Sequence, residues 1–125
     1  MNFKLKTSKY TAEKIKQLES ATGLKPYVLV RNAIGLAVSQ PEPATGYVPD
    51  LNGLEFNRST LTGEDDDDYK ALIIQHYGKE ISDEEYFPSL FNSYLERGIR
   101  MLANEYQHAG NSEKFMINMF LRGGS

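Results

Sequence analysis

The chain has 125 residues, 40% of them hydrophobic and 25% charged, which fits one folded domain and is too apolar for a chain disordered throughout. It has no cysteine, which excludes disulfides, thiolate nucleophiles, iron–sulfur ligation and any persulfide carrier; the first ten residues also lack the apolar core of a secretory signal, and no apolar run is long enough to span a bilayer, so the expected compartment is the cytoplasm. The net charge of -3 hides a division: residues 1–31 hold seven basic and two acidic groups, and the rest of the chain holds seven basic and fifteen acidic ones. An asymmetry of that size suggests an N-terminal segment facing a polyanion.

Phe3, Leu5 and Thr7 alternate with Lys4 and Lys6, which predicts a short extended segment with its apolar residues on one face and its lysines on the other. A helix follows from about Thr11 to Thr22, with Ala12, Ile15 and Leu18 on one face, Thr11 placed to cap it and Gly23 to end it. Pro26 suits the first turn of a second helix running to about Ser39. Tyr27, Val28, Leu29, Val30, Ala33, Ile34, Leu36, Ala37 and Val38 leave that helix almost no polar face, so it must be buried in a central core or against a second subunit.

Pro41, Pro43, Gly46, Pro49 and Gly53 mark a long irregular stretch over residues 40–64, with a short strand near Leu54 to Phe56. Helix resumes from about Asp65 to Tyr77, where Tyr69, Leu72, Ile73 and His76 or Tyr77 share a face and Gly78 ends the run. Ser82 and Glu85 have the spacing of a capping box, but Pro88 predicts that the main helix begins afresh near Phe87. Phe91, Tyr94, Leu95, Gly98, Ile99 and Leu102 then keep a helical period to about His108. Gly110 and Asn111 break the chain, Ser112 is placed to cap a last helix, and Phe115, Met116, Met119 and Phe120 give it an apolar face. The expected fold class is mainly α, four to five helices with a short N-terminal extended segment, in a single domain over residues 1–125.

Catalytic apparatus is missing from this pattern. Asp65 to Asp68, preceded by Glu64, lack the alternating spacing of a calcium loop, and acidic residues are favoured at a helix N-terminus by the dipole alone. His76 and His108 stand far apart and in no metal or acid–base motif, Gly78-Lys79-Glu80 is no phosphate loop, and neither a nucleophile elbow nor a dinucleotide fingerprint is present. The expectation is therefore a protein that is not an enzyme and carries neither cofactor nor metal. What remains is a lysine cluster: Lys4, Lys6, Lys9, Lys14, Lys16 and Lys25 are the candidate DNA-binding residues, acting as point charges that neutralise phosphates and release counterions. Tyr10 and Tyr27 lie in the same region, where they could pack on a sugar or an exposed base, although core packing is the default for Tyr27.

Residues 2–39, an extended segment and two helices, look like a ribbon-helix-helix module, in which strands pair across a dimer to bind DNA. A sharper likeness lies in three blocks taken in order: Thr22-Gly23-Leu24-Lys25-Pro26, then Leu54-Glu55-Phe56-Asn57-Arg58-Ser59-Thr60-Leu61-Thr62-Gly63-Glu64, then Tyr94-Leu95-Glu96-Arg97-Gly98-Ile99. In a chain of this length they resemble the DNA sulfur modification protein DndE family, over about Leu5 to Leu102. The resemblance implies a small component of the bacterial machinery that replaces a non-bridging phosphate oxygen of DNA with sulfur. In such systems a cysteine desulfurase, an adenylating iron–sulfur enzyme and an ATPase share the remaining work. A chain without cysteine fits a DNA-engaging or assembly role there.

The expected function is a DNA-binding accessory subunit of phosphorothioate modification, engaging the duplex backbone, intact or nicked, as a homo-oligomeric dimer or tetramer formed around residues 26–39. Its expected partners are duplex DNA and the other subunits of the modification complex. The alternatives are a non-DNA assembly adaptor for the modification enzymes and an antitoxin-like repressor that reads bases with its ribbon. Within the matching blocks, Arg58, Glu64 and Arg97 either contact DNA or another subunit, or serve the fold, with Arg58 and Glu64 pinning the long loop and Arg97 pairing with a helix carboxylate.

Overall fold

The computed structural model describes residues 3–45 and 48–123, with side chains described as far as Asn118 except that of Ser112. Gly46, the Ser112 cap and the apolar face ascribed to Met119 and Phe120 therefore fall outside what is described. The elements run β1 (Lys4–Lys6), α1 (Lys9–Thr22), α2 (Pro26–Val38), β2 (Glu55–Asn57), α3 (Arg58–Leu61), α4 (Asp66–Tyr77), α5 (Phe91–Ala109) and α6 (Ser112–Gly123). The fold is mainly α, with one two-stranded sheet among the described residues.

The sheet is antiparallel and closes within the chain: Lys4 faces Asn57, Leu5 faces Phe56 and Lys6 faces Glu55. The ladder extends beyond the strands through Arg58 N–H to the Phe3 carbonyl (2.7 Å) and Thr7 N–H to the Leu54 carbonyl (2.9 Å). One edge of β1 is thus taken by β2, and on the other edge Asn92 Nδ2 donates to the Lys6 carbonyl (3.0 Å). The ribbon pairs inside one chain rather than across a dimer, which departs from the ribbon-helix-helix arrangement. Lys4 and Lys6 point outward and Leu5 and Thr7 inward, as the alternation requires, but Phe3, at the outer end of the ladder, is 64% exposed.

Ser8, not Thr11, caps α1: its Oγ accepts from Thr11 N–H (3.1 Å). Ala12, Ile15 and Leu18 are buried, and Gly23 closes the helix in the left-handed region at φ 75°. α2 begins at Pro26 and buries Leu29, Val30, Ala33, Ile34, Leu36 and Ala37. Its principal neighbour is α5, which buries Phe91, Tyr94, Leu95, Gly98, Ile99 and Leu102. Gly98 permits this contact, since a Cβ there would stand 2.0 Å from the Ala33 carbonyl oxygen. The apolar helix is therefore covered by its own chain, and its composition no longer calls for a second subunit along residues 26–39.

The long loop is partly ordered by local structure. Gly53 approaches the end of β1 so closely that a Cβ would lie 2.2 Å from the Ser8 carbonyl oxygen, and Arg58 to Leu61 form a helical turn that sequence periodicity is too short to reveal. In α4, Ile73 is buried and Tyr69, His76 and Tyr77 are half-buried, but Leu72 points outward at 43% exposure. Ser82 Oγ accepts from Glu85 N–H (3.2 Å), one half of a capping box, and its hydroxyl donates to Glu85 Oε1 (3.2 Å). Phe87 then leaves helical geometry (φ -126°, ψ 127°) before the cis peptide to Pro88, and regular helix starts at Phe91. Pro88 disfavours the helical region for its predecessor, which explains the break. Asn111 Oδ1 accepts from Lys114 N–H (2.8 Å), so the start of α6 is capped from Asn111.

Candidate nucleic-acid interface

The six candidate lysines occupy β1, α1 and the turn into α2. Lys4, Lys6, Lys9, Lys16 and Lys25 are exposed and Lys14 is half-buried. At 100° per residue, Lys9 and Lys16 lie on one flank of α1, and Lys14 lies about 140° round from Lys9 on the other. The fourteen residues of α1 extend about 20 Å, so lysines from Lys9 to Lys25 can follow a phosphate backbone over several base pairs. The structure brings together Lys9 and Lys16 along one side, and Lys4 and Lys6 on the outer face of the sheet.

Some of this charge has local partners. Lys4 Nζ lies 3.7 Å from Glu55 Oε2 across the sheet, with both side chains at least half exposed, so the pair contributes little stability and opens at small cost. The backbone N–H of Lys9, not its ammonium group, donates to Asp50 Oδ1 (2.8 Å). That bond and one from Asn52 N–H hold the Asp50 carboxyl below the ordinary range, the Asn52 bond contributing most. Arg31, the seventh cation of the N-terminal segment, turns to structural use: its Nε donates to the Leu61 carbonyl (2.7 Å) and its guanidinium lies over Tyr27 at 5.2 Å.

On the Lys14 flank, α1 meets α5. The Tyr10 ring has Lys14 Nζ 5.6 Å and Arg100 Cζ 4.3 Å from its centroid. Tyr10 is therefore engaged by cations of its own chain, and Arg100, which no sequence motif singles out, joins the basic surface. Beneath them Glu96, only 4% exposed, accepts at Oε2 from Ser8 Oγ and Thr11 Oγ1 (both 2.7 Å) and at Oε1 from Arg100 Nη2 (3.1 Å). The same Ser8 hydroxyl caps α1, so one buried carboxylate fixes the start of the lysine-bearing helix against α5.

The middle block surrounding Arg58 serves the fold. Arg58, 7% exposed, forms two forks: Nε and Nη2 to Asp66 (2.9 and 2.8 Å), and Nη1 and Nη2 to Asp83 (both 2.9 Å). Thr62 Oγ1 donates to Asp66 Oδ1 (2.5 Å), Lys70 Nζ bonds Asp83 at 3.0 Å, and the Arg58 guanidinium stacks over Phe87 at 4.9 Å. Arg58 in particular holds the Asp66 and Asp83 carboxyls below the usual range. Arg58 thus pins the loop, as one of its two sequence readings has it, while Glu64 is exposed. Arg97 donates from Nη2 to the Ala37 carbonyl (2.6 Å) rather than to a carboxylate. Of the acidic run, Asp66 is bound to Arg58, and no group of three or more metal-ligating side chains occurs among the described residues.

Both histidines are bonded to their own chain. His76 bridges α4, α5 and the loop: the Gln40 carbonyl can only accept, so Nε2–H donates to it (2.5 Å), and in the neutral ring Nδ1 accepts from the Tyr94 hydroxyl (2.6 Å). Burial pushes the Tyr94 hydroxyl up, an effect opposed by Ala44 N–H. His108 is exposed and bonds the Asn104 carbonyl one turn earlier.

A mainly helical protein emerges, with a small sheet and a lysine-bearing helix anchored on α5. Residues 4–110 match the family described as DNA sulphur modification protein DndE. The chain belongs to this family. Among solved structures it is similar to one described as the crystal structure of DndE from Escherichia coli B7A, involved in DNA phosphorothioation modification. The identity is 21%, covering 82% of this chain and 97% of that one, with a TM-score of 0.66, and the likeness speaks to the fold. No curated protein matches the sequence. Among the described residues no helix is long and apolar enough to cross a membrane.

Proposed function

We propose that this chain is a DNA-binding accessory subunit of phosphorothioate modification that engages the duplex backbone, at nicks in particular, and does no chemistry itself. Membership of the DndE family supplies the setting, and the exposed lysines of β1 and α1 carry the reading. Ammonium groups on flexible stems neutralise phosphates without reading bases, so sequence preference should be weak and salt sensitivity steep. The closure of β1 against β2 disfavours the repressor alternative, which needs a free ribbon edge to pair with a second copy. An assembly adaptor remains the competing class, and the lysines decide between the two. A homo-oligomer belongs to this proposal too, using surface other than the buried face of α2; the partner subunits are those of the modification machinery.

The test is fluorescence anisotropy with intact and nicked duplexes of unrelated sequence, for the wild type and for Lys4→Ala, Lys6→Ala, Lys14→Ala, Lys16→Ala combined. Binding that is indifferent to sequence, favours the nick and is lost in the variant supports the proposal. Binding to the modification enzymes that survives in the variant, with no duplex affinity in the wild type at low salt, replaces it with the adaptor.

A further inference from the structure

Between the loop and α5 lies an open cleft of about 370 Å³, walled by Pro43, Ala44 and Thr45 on one side and by Glu96, Arg97 and Arg100 on the other. Its two arginines are held differently. Arg97 is fixed by Nη2 on the Ala37 carbonyl and by its packing over Tyr94 at 5.6 Å, yet its Nε–H is buried with no partner. Among the described residues no carboxylate pairs with it. Arg100 uses Nη2 on Glu96 while 53% of its side chain stays exposed. Glu96 also lines the cleft, and its charge is offset by Arg100, so Arg97 supplies the net positive charge there.

Two guanidiniums line this one cleft, and an oxyanion there would take charge-assisted bonds from their terminal N–H groups. Size then narrows the ligand. A cleft of this volume falls in the range that holds small organic ligands and exceeds the needs of a bare phosphate. Pro43 and Ala44 supply an apolar wall opposite the arginines, suited to the carbon face of a sugar.

We propose that this cleft binds one phosphate of a nucleotide together with its sugar, Arg97 and Arg100 contacting the phosphoryl oxygens. The proposal rests on the reading of the chain as a DNA-backbone binder and adds a second contact point, distinct from the lysines. The loop wall is held in place by His76 on Gln40 and Tyr94 beside Ala44, so the cleft is shaped before the ligand arrives. A terminal monoester and a backbone diester share this chemistry.

The test follows the arginine Nε–Hε resonances by nuclear magnetic resonance while thymidine 5′-monophosphate or the diester d(TpT) is titrated at constant ionic strength. The Arg97 resonance should shift saturably. Arg97→Lys, which keeps the charge but not the fork, and Arg100→Gln should each weaken binding about tenfold or more, with thermal unfolding reporting that both variants fold. Saturation with the monoester alone assigns the cleft to a strand end; saturation with both assigns it to continuous backbone. Absence of a saturable shift with either probe, or unchanged affinity in both folded variants, overturns the proposal even if the duplex binds through the lysines. Conversely, if Arg97 titrates while the wild type fails to bind any duplex, the cleft assignment stands and the proposed function does not.

Discussion

Replacing Gly98 with alanine adds one methyl group at the closest point between α2 and α5. The new Cβ would lie 2.0 Å from the Ala33 carbonyl oxygen and 2.5 Å from its carbonyl carbon, and both obstacles are backbone, which no rotamer change can move. The helices must separate by roughly 1 Å to restore ordinary contact, loosening a core that includes the fully buried Leu29, Ile34, Leu95 and Ile99. Overpacking of this kind costs about 1–3 kcal/mol or more, against a gain of at most about 1 kcal/mol from replacing glycine in a helix. A net loss near 2 kcal/mol should lower the thermal midpoint by about 8 °C in a domain of this size. Gly35, exposed on α2 with nothing within 4 Å of its Cβ position, is the internal control: Gly35→Ala should raise the midpoint by a few degrees. Thermal unfolding followed by circular dichroism measures both. A Gly98→Ala protein as stable as the wild type would refute the close α2–α5 approach on which the core is described.

Arg58→Lys should cost about 3 kcal/mol, since one ammonium group cannot replace forks to two part-buried carboxylates, and urea unfolding at neutral pH checks it. Because the folded state depresses the Asp66 and Asp83 carboxyls, their stabilisation is complete above about pH 4 and is lost as pH falls below it. Asp83→Asn should therefore start less stable and lose less over that acid range, and parallel acid limbs in the two proteins would contradict the pairing. His76→Phe should cost about 1–3 kcal/mol by stranding the Gln40 carbonyl and the Tyr94 hydroxyl, and limited proteolysis should then cut within residues 40–45 sooner than in the wild type. Glu96→Gln places an amide where two hydroxyls and a guanidinium donate, so a similar destabilisation is expected in urea, with the N-terminal half of α1 exchanging its amide hydrogens faster.

The helices were legible because their signals are local. Period and punctuation located α1, α2, α4 and α5, with Gly23 and Gly78 at φ 75° and 85° ending the first and third of these. Side-chain roles that depend on distant partners were not. Thr11 has the composition of a cap, but Ser8 holds that position and frees the Thr11 hydroxyl for Glu96, eighty-five positions away in sequence. Leu72 fits an apolar face by spacing, yet α4 touches the core mainly through Ile73. α2 is apolar enough to suggest a dimer, and only the tertiary structure reveals that α5 covers it. Within the candidate site, the exposed lysines were readable as an outward array, whereas Arg100 gains its place from packing across α1 and α5. Its position one helical turn after Glu96 was the available signal, an ion pair of common spacing that does not reveal the cleft alongside.

The most direct test of backbone binding through the lysines is the slope of log affinity against log salt concentration, measured with one duplex for the wild type and the fourfold lysine variant. If those four lysines each neutralise a phosphate, the variant's slope should be shallower by about 3 to 4, with its remaining affinity still insensitive to sequence. Equal slopes in the two proteins would contradict the assignment and place the DNA contact elsewhere.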